Sequence, residues 1–186
     1  MLLWACSAPE NQLPFALLIE GEIMNKYSQM AKQLGMLYAK IISSKDIFFD
    51  PRAILKCRWG CDDYRSQKCD DRGVPYEMRL QIVRAYNHIL LVHSNHGQKL
   101  YSVALKVERQ MFLDGFYFAF TLCSCKLCKV CKVGEGIACP TPEEIRPCDQ
   151  LFGIDVYKTV RKQGLPCEVL QNKNEKQNRY AFILIA

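Results

Sequence analysis

This chain lacks most of the sequence features that assign a protein quickly to a function class. No apolar run reaches the roughly eighteen residues that a membrane-spanning helix needs, and the N-terminus has neither the basic start nor the length of a secretory signal peptide. The nucleotide-binding patterns G-x-G-x-x-G and Walker A and the hydrolase pattern G-x-S-x-G are also absent. We therefore expect a protein of the cytoplasm with no membrane partner.

Strong positive charge is lacking as well. The 186 residues include 25 Lys and Arg against 19 Asp and Glu, which gives a formal net charge of +6. The basic residues are interleaved with acidic ones, and no nucleic-acid recognition motif is present. We therefore expect no nucleic-acid partner, and the sequence carries no signature of an oligomeric state.

Histidine is scarce, and its positions do not suggest a metal site. The chain has three, His88, His93 and His96. His93 and His96 could offer imidazole nitrogens to a metal ion. A strand end followed by its loop is the more ordinary setting for this pair, so we do not count them among the predicted ligands.

Cysteine, in contrast, is abundant: there are eleven, and six lie within residues 123–148. Cys125, Cys128 and Cys131 follow the spacing C-x2-C-x2-C, and Cys139 comes after seven further residues and precedes a proline. Thiolates at every third residue allow one tight loop to direct several sulfurs at a common point, as in bacterial ferredoxins. We therefore predict that these four cysteines hold a 4Fe–4S cluster.

Structural zinc and disulfides are the alternatives at this site. Zinc sites usually pair two separate C-x2-C knuckles about fifteen residues apart, whereas here two knuckles share Cys128. A disulfide framework needs an oxidising compartment. The intervening Lys126, Lys129 and Lys132 favour thiolates and offset the negative charge of a cluster, although an ordinary solvated face also accounts for them.

A second and looser cysteine group comprises Cys57, Cys61 and Cys69, with the spacing C-x3-C-x7-C. This spacing differs from the C-x3-C-x2-C of radical S-adenosylmethionine enzymes. Three thiolates are one short of a closed site, so the fourth ligand is Cys148 or Cys123, or one iron keeps a non-cysteine ligand. One 4Fe–4S cluster is thus expected and a second can form. An open iron could bind a substrate as a Lewis acid, and zinc or a silent loop is the alternative.

The pattern of apolar residues predicts a mixed α/β fold. Its small, partly parallel sheet has flanking helices and a cysteine-rich loop region. His88–His93 and Phe116–Leu122 have the composition of buried strands, and the segment between them has helical periodicity, which predicts a βαβ unit with parallel strands. Further predicted helices cover residues 24–37, 75–87 and 155–163, and further predicted strands cover residues 46–49, 53–58, 167–170 and 180–185. We expect a single metal-binding domain over residues 24–186, preceded by an extension or tail over residues 1–23.

Several of these segments together resemble a known family. They are Phe49-Asp50-Pro51-Arg52, the residues from Lys56 to Cys61, Cys69, the four cysteines of the 125–139 loop, Arg146-Pro147 and Gly153-Ile154-Asp155-Val156. They are similar to an uncharacterised, cysteine-rich family of predicted metal-binding proteins found mostly in anaerobes. The resemblance covers about Met24 to Gly164. It implies metal binding in the cytoplasm, with iron–sulfur as the expected cofactor and no established reaction.

Three functions follow from these patterns as alternatives. The first is electron transfer by a 4Fe–4S protein whose lysines dock on a more acidic redox partner. The second is an enzyme or cofactor-handling protein with an open iron at Cys57, Cys61 and Cys69. The third is a zinc-stabilised interaction module without a redox role.

Overall fold

The computed structural model describes residues 13–69, 72–172 and 174–186. Within these ranges, five α-helices and four β-strands alternate with short 3-10 turns, which confirms the predicted mixed class. The helices are α1 (Leu13–Gln33), α2 (Ala53–Gly60), α3 (Tyr76–Arg84), α4 (Gly97–Leu113) and α5 (Val156–Lys162). The strands are β1 (Tyr38–Ser43), β2 (His88–Ser94), β3 (Phe120–Leu122) and β4 (Arg179–Leu184). No helix in the described part of the chain has the length and apolarity required to cross a membrane.

The sheet has the strand order β1-β2-β4-β3, and all three strand pairings are antiparallel. The prediction of a partly parallel sheet is therefore wrong. β2 and β3 do run in the same direction, because each is antiparallel to β4, but β4 lies between them. Tyr180 to Leu184 of β4 are all buried, and a strand that is apolar on both faces is stable in the interior of a sheet rather than at its edge.

The sheet is covered on both faces. Successive side chains of a strand point to opposite faces, so Leu90 and Val92 pack in one apolar cluster with α1 and α4, whereas Ile89 and Leu91 pack in a second cluster near α5. The segment that begins at Cys123 therefore follows a strand of a sheet that is packed on both faces.

Two predicted strands are wrong, and the correction changes how Cys57 is presented. Residues 44–46 form a 3-10 turn, Phe49 makes only an isolated bridge with Ile154, and residues 53–60 form helix α2. The carboxylate of Asp50 accepts the Arg52 N–H at 2.9 Å, and the Asp50 carbonyl accepts the Ala53 N–H at 3.0 Å, which starts the helix. The strand predicted over residues 167–170 is also wrong, because this segment has no regular structure.

The predicted helices are found, with shifted ends. The predictions over residues 75–87 and 155–163 correspond to α3 and α5, and Asp155 caps α5 by accepting the Lys158 N–H at 2.9 Å. Helix α1 begins at Leu13 rather than at Met24, so it continues across the proposed boundary at residue 23. Residues 1–12 of the predicted extension lie outside the described residues, and the domain boundary stays a prediction.

We expect the contact between α1 and the turn after α4 to contribute measurably to stability. The buried Tyr27 hydroxyl donates to the Asp114 carboxylate at 2.8 Å. Because a hydrogen bond to a charged group contributes about 1.5 kcal/mol or more, Tyr27→Phe should lower the free energy of unfolding by about that amount in urea denaturation. The matched control is Tyr117→Phe, at a side chain that is 72% exposed. It should change the free energy by less than about 0.5 kcal/mol, and equal losses in the two variants would contradict the assignment.

Candidate metal centres

The first cysteine group is assembled from three separate segments of the chain. Cys57 lies on α2, Cys69 ends the loop that follows it, and Cys148 comes from the segment before α5. The Sγ atoms of Cys57 and Cys69 are 3.9 Å apart. The neighbouring Cys148 thiol is the largest cause that lowers the pKa of both thiols. The structure thus places Cys148, one of the two candidates for a fourth ligand, beside the first group.

The other candidate, Cys123, lines one cavity of about 270 Å³ with Cys61 and Cys148, but its thiol hydrogen-bonds elsewhere. Its Sγ is buried and donates to the carbonyl oxygen of Tyr180 at 3.8 Å, and burial raises the pKa of its thiol. Cys61 lies near the group, since it lines the same cavity as Cys148, and its pKa is raised, first by partial burial and then by the neighbouring charges of Asp63, Cys69 and Cys57. The first cysteine group is therefore residues 57, 61, 69 and 148.

Neighbouring thiols and cations lower the pKa of the Cys57 thiol. The hydrogen bond from Cys148 is the largest cause that lowers the pKa of Cys57 to about 6, against the effect of burial. Cys69 and the guanidinium groups of Arg79 and Arg58 lower it further. The interactions with Cys57 and Cys69, together with burial, raise the pKa of Cys148. Because the thiolate rather than the thiol binds metal, the lowered pKa favours the ligating form of Cys57.

The second cysteine group is Cys125, Cys128, Cys131 and Cys139, and all four residues line one cavity of about 180 Å³. Cys128 and Cys131 are exposed, and the other two are half-buried. The four cysteines that the spacing selects are therefore brought together around a common space that opens to the surface.

Helix α4 holds the loop of this second group in place. The Gln98 side chain donates to the Leu127 carbonyl at 2.7 Å. One turn further along the helix, the buried Tyr101 hydroxyl donates to the Glu144 carbonyl at 2.7 Å and also contacts the thiol of Cys125. The beginning of the loop is thereby fixed to the core, while its tip is at the surface.

A single loop, residues 61–69, connects the two groups. The Gln67 side-chain oxygen accepts the Cys139 N–H at 2.9 Å. Lys68 also lines the second group's cavity, and its ammonium pairs with Asp63 at 2.7 Å. Burial by itself would lower the pKa of Lys68, but this ion pair and the nearby thiols of the second group raise it. Lys68 therefore lines the cavity of the second group, while the next residue, Cys69, belongs to the first group.

The segment that carries Cys148 is anchored by a nearly buried ion pair. The Arg146 guanidinium contacts the Glu108 carboxylate of α4, with its shortest distance 2.6 Å, and only 18% and 10% of the two side chains are exposed. The same carboxylate accepts the Thr121 N–H of β3 at 2.7 Å. Arg146 thereby fixes the approach of Cys148, two residues later, to the first group.

The side chains of neither cysteine group are arranged in the geometry of a metal site. Among the described residues, no set of three or more Cys, His, Asp or Glu side chains is arranged so that it could hold a metal ion. The thiols of the first group are engaged with one another, and those of the second group are spread around a cavity. All ten cysteines in the described ranges are free.

His93 has a structural role near the end of β2. Its Nε2 atom hydrogen-bonds to the Asn178 side-chain oxygen at 2.9 Å, and its ring stacks on Tyr180 with 4.8 Å between ring centroids. Burial lowers the pKa of His93, so the folded protein favours its neutral form.

A pH dependence of stability follows from this burial. As the pH falls from about 7 to about 5, protonation of His93 in the unfolded chain is favoured, and the free energy of unfolding decreases. We expect His93→Gln to lose stability less steeply than the wild type over this interval in thermal unfolding at fixed salt. The exposed His96→Gln should keep the wild-type slope, and identical slopes in all three proteins would contradict this role for His93.

Comparison with known proteins identifies the family of this chain. The family model described as predicted metal-binding protein (DUF2284) matches residues 40–185, a range that contains both cysteine groups. The chain belongs to this family. No curated protein and no solved structure matches it. Membership in DUF2284 confirms the resemblance derived from the cysteine and Arg-Pro segments, and it supports metal binding as the general property of the chain.

The sequence did not predict the cations that lie beside the thiols of this DUF2284 protein, nor the ion pair that anchors the segment of Cys148. Lys68 and Arg79 lie beside the thiols, and Arg146 fixes one of the segments. The sequence offered one signal, the Arg146-Pro147 pair directly before Cys148, which contributes to the resemblance without revealing its ion pair. Lys68 carries no local signal, because it contacts thiols that lie far along the chain.

Proposed function

We propose that this DUF2284 protein holds a 4Fe–4S cluster on Cys125, Cys128, Cys131 and Cys139 and transfers electrons one at a time. The observation that carries the proposal is the shared cavity of about 180 Å³ that these four cysteines line. When bound, such a cluster supplies a redox centre whose potential depends on nearby charge and solvent exposure.

The size of the cavity favours a cluster over a single zinc ion. Zinc–sulfur bonds of about 2.3 Å in a tetrahedral site bring the four sulfurs to about 3.8 Å from one another. That arrangement leaves no open space between them. Four cysteines spaced around about 180 Å³ offer room for a larger, polynuclear group.

The surface around the second group supports exchange of electrons with a partner protein. Cys128 and Cys131 are exposed, and so are the intervening Lys126, Lys129 and Lys132. A positive face of this kind steers an acidic partner into contact. We propose an acidic redox protein as the partner. We also propose the cytoplasm as the location, because free thiols and cysteine-ligated clusters persist under reducing conditions.

For the first group, a structural zinc ion is the second candidate. The 3.9 Å separation between the Sγ atoms of Cys57 and Cys69 is close to the edge of about 3.8 Å expected for tetrahedral zinc. With Cys61 and Cys148 nearby, the group has four thiols to offer, which weakens the argument for an open iron with a substrate. A second 4Fe–4S cluster is the remaining alternative there.

Metal analysis of protein purified without oxygen tests both assignments. We expect about four irons and about four sulfides per chain with about one zinc, and a brown colour. Colourless protein that contains zinc alone would overturn the cluster. About eight irons without zinc would overturn the zinc assignment and place a cluster in each group.

The charge of Lys68 should tune the proposed cluster. Its ammonium lies near the thiols of Cys125 and Cys131, so its removal disfavours the additional negative charge of the reduced state. We expect Lys68→Gln to lower the reduction potential in an anaerobic redox titration. The control is Lys106→Gln, at an exposed position on α4, which should leave the potential unchanged. An equal or higher potential in Lys68→Gln would contradict the role.

A further inference from the structure

Two thiols of the first cysteine group lie in contact with each other. The Sγ atoms of Cys57 and Cys69 are 3.9 Å apart, and both side chains are buried. A disulfide requires its two sulfurs to approach to about 2.05 Å. Because a thiol that is oxidised next to a second thiol condenses with it, the closeness of this pair makes it a site at which a disulfide can form.

A cavity of about 450 Å³ lies beside the pair. Cys57 and Cys69 both line it, together with Arg58, Tyr64 and Arg65. The side chains of Arg58 and Arg65 are exposed, so the cavity reaches the surface of the protein. A small oxidant can therefore approach the two cysteines, although both are buried in the fold.

The segment that a disulfide would close is local. Cys57 and Cys69 are separated by 12 positions in the sequence, and the loop between them is held by its own turns. The Cys61 carbonyl accepts the Tyr64 N–H at 3.2 Å, and the Ser66 carbonyl accepts the Cys69 N–H at 2.8 Å. Neither cysteine belongs to the two apolar clusters that pack on the sheet. A bond between them would therefore leave the packing of the sheet intact.

We propose that Cys57 and Cys69 form a reversible disulfide when hydrogen peroxide enters this cavity, and that the bond releases the metal of the first group. The site deepens the proposed zinc centre, on which it rests for the release of metal alone.

The chemistry of the disulfide step balances with the peroxide as the oxidant. One sulfur attacks the peroxide as a thiolate, so that an S–O bond forms, the O–O bond breaks, and the departing hydroxide takes up a proton to become water. The second sulfur then attacks the sulfenic acid, the S–O bond breaks, and a second water leaves. The two thiols thus lose two electrons, which reduce one peroxide to two waters, and a dithiol reverses the change by exchange.

Release of metal follows from the loss of ligands. A disulfide has no thiolate to offer to a metal ion. Of the four proposed zinc ligands, only Cys61 and Cys148 would remain, and two ligands do not complete a tetrahedral site. Oxidation of the pair should therefore free the zinc ion, and reduction should restore the site.

Peptide mapping tests the disulfide. The full-length protein, purified without oxygen, is titrated with hydrogen peroxide, its remaining thiols are alkylated, and its peptides are analysed by mass spectrometry. We expect a linked pair of peptides that contain Cys57 and Cys69, release of about one zinc per chain to a colorimetric chelator, and recovery of both free thiols after treatment with dithiothreitol. Cys167→Ser, at a half-buried cysteine outside both ligand sets, should form the same linked pair at the same peroxide concentration.

The outcomes separate this disulfide from the zinc proposal. The disulfide is overturned if Cys57 and Cys69 stay free while other thiols are oxidised, or if Cys57 links to Cys148 instead. If the linked pair forms while zinc stays bound, the release of metal is overturned. Protein that contains no zinc before oxidation would overturn the zinc centre alone, because the linked pair is detected whatever metal the group holds.

Discussion

Cys128→Ser should remove about four irons and about four sulfides per chain from protein purified without oxygen, while the zinc ion that we propose for the first group stays bound. Cys128 is the middle cysteine of the C-x2-C-x2-C run and lines the cavity of the second group. Its side chain is exposed, so the substitution leaves the apolar core intact. Loss of iron then reflects loss of a ligand rather than unfolding. Iron, sulfide and zinc analysis together with the visible spectrum measures this outcome.

The control for this variant is Cys167→Ser. Cys167 is half-buried and lines a cavity with Cys61, Cys123 and Cys148, but it lies outside both proposed ligand sets, so its replacement should leave the content of iron, sulfide and zinc unchanged. If Cys128→Ser retained all of its iron, the second group would not be the cluster site. If it lost iron and zinc together, the two groups would form one shared site.

Arg146→Met should lower the free energy of unfolding by about 3 kcal/mol. The substitution removes the cation from a nearly buried ion pair and leaves the Glu108 carboxylate without its charged partner. The guanidinium also lies over the ring of Phe120, 5.2 Å from its centroid. Removing one member of a buried pair is costly because the remaining charge keeps its desolvation penalty. Urea denaturation under oxygen-free conditions gives the value.

The matched control is Arg109→Met, which replaces the exposed arginine next to Glu108 on α4. Its effect should stay within about 0.5 kcal/mol. A loss of less than about 1 kcal/mol in Arg146→Met would show that the pair contributes no more than a surface ion pair. Since Arg146 also fixes the segment of Cys148, the variant should release the metal of the first group more readily than the control does.

The sequence predicted the second cysteine group more completely than the first for a physical reason. Cys125, Cys128 and Cys131 lie within one short loop, so their spacing alone brings the sulfurs near one another. The first group depends on a long-range contact between α2 and the segment of Cys148, and spacing left two candidates for that position. Lys68 was missed for the same reason, because its partners across the cavity are set by tertiary packing.

The errors in the fold prediction have a related origin. Apolar runs predicted β2, β3 and β4 as buried strands, but periodicity does not encode which strand lies between two others, and β4 separates β2 from β3. The segment of α2 contains a short apolar run that suits either a strand or a helix. The hydrogen bonds that Asp50 accepts at its beginning select the helix, and Cys57 therefore projects from a helix.

Anomalous diffraction at the iron and zinc absorption edges, on crystals of protein prepared without oxygen, tests the central claim most directly. The account predicts a compact group of iron atoms within the cavity lined by Cys125, Cys128, Cys131 and Cys139, with each of the four sulfurs bound to iron. A single zinc ion in that cavity would contradict it, and so would four sulfurs paired with one another in disulfides.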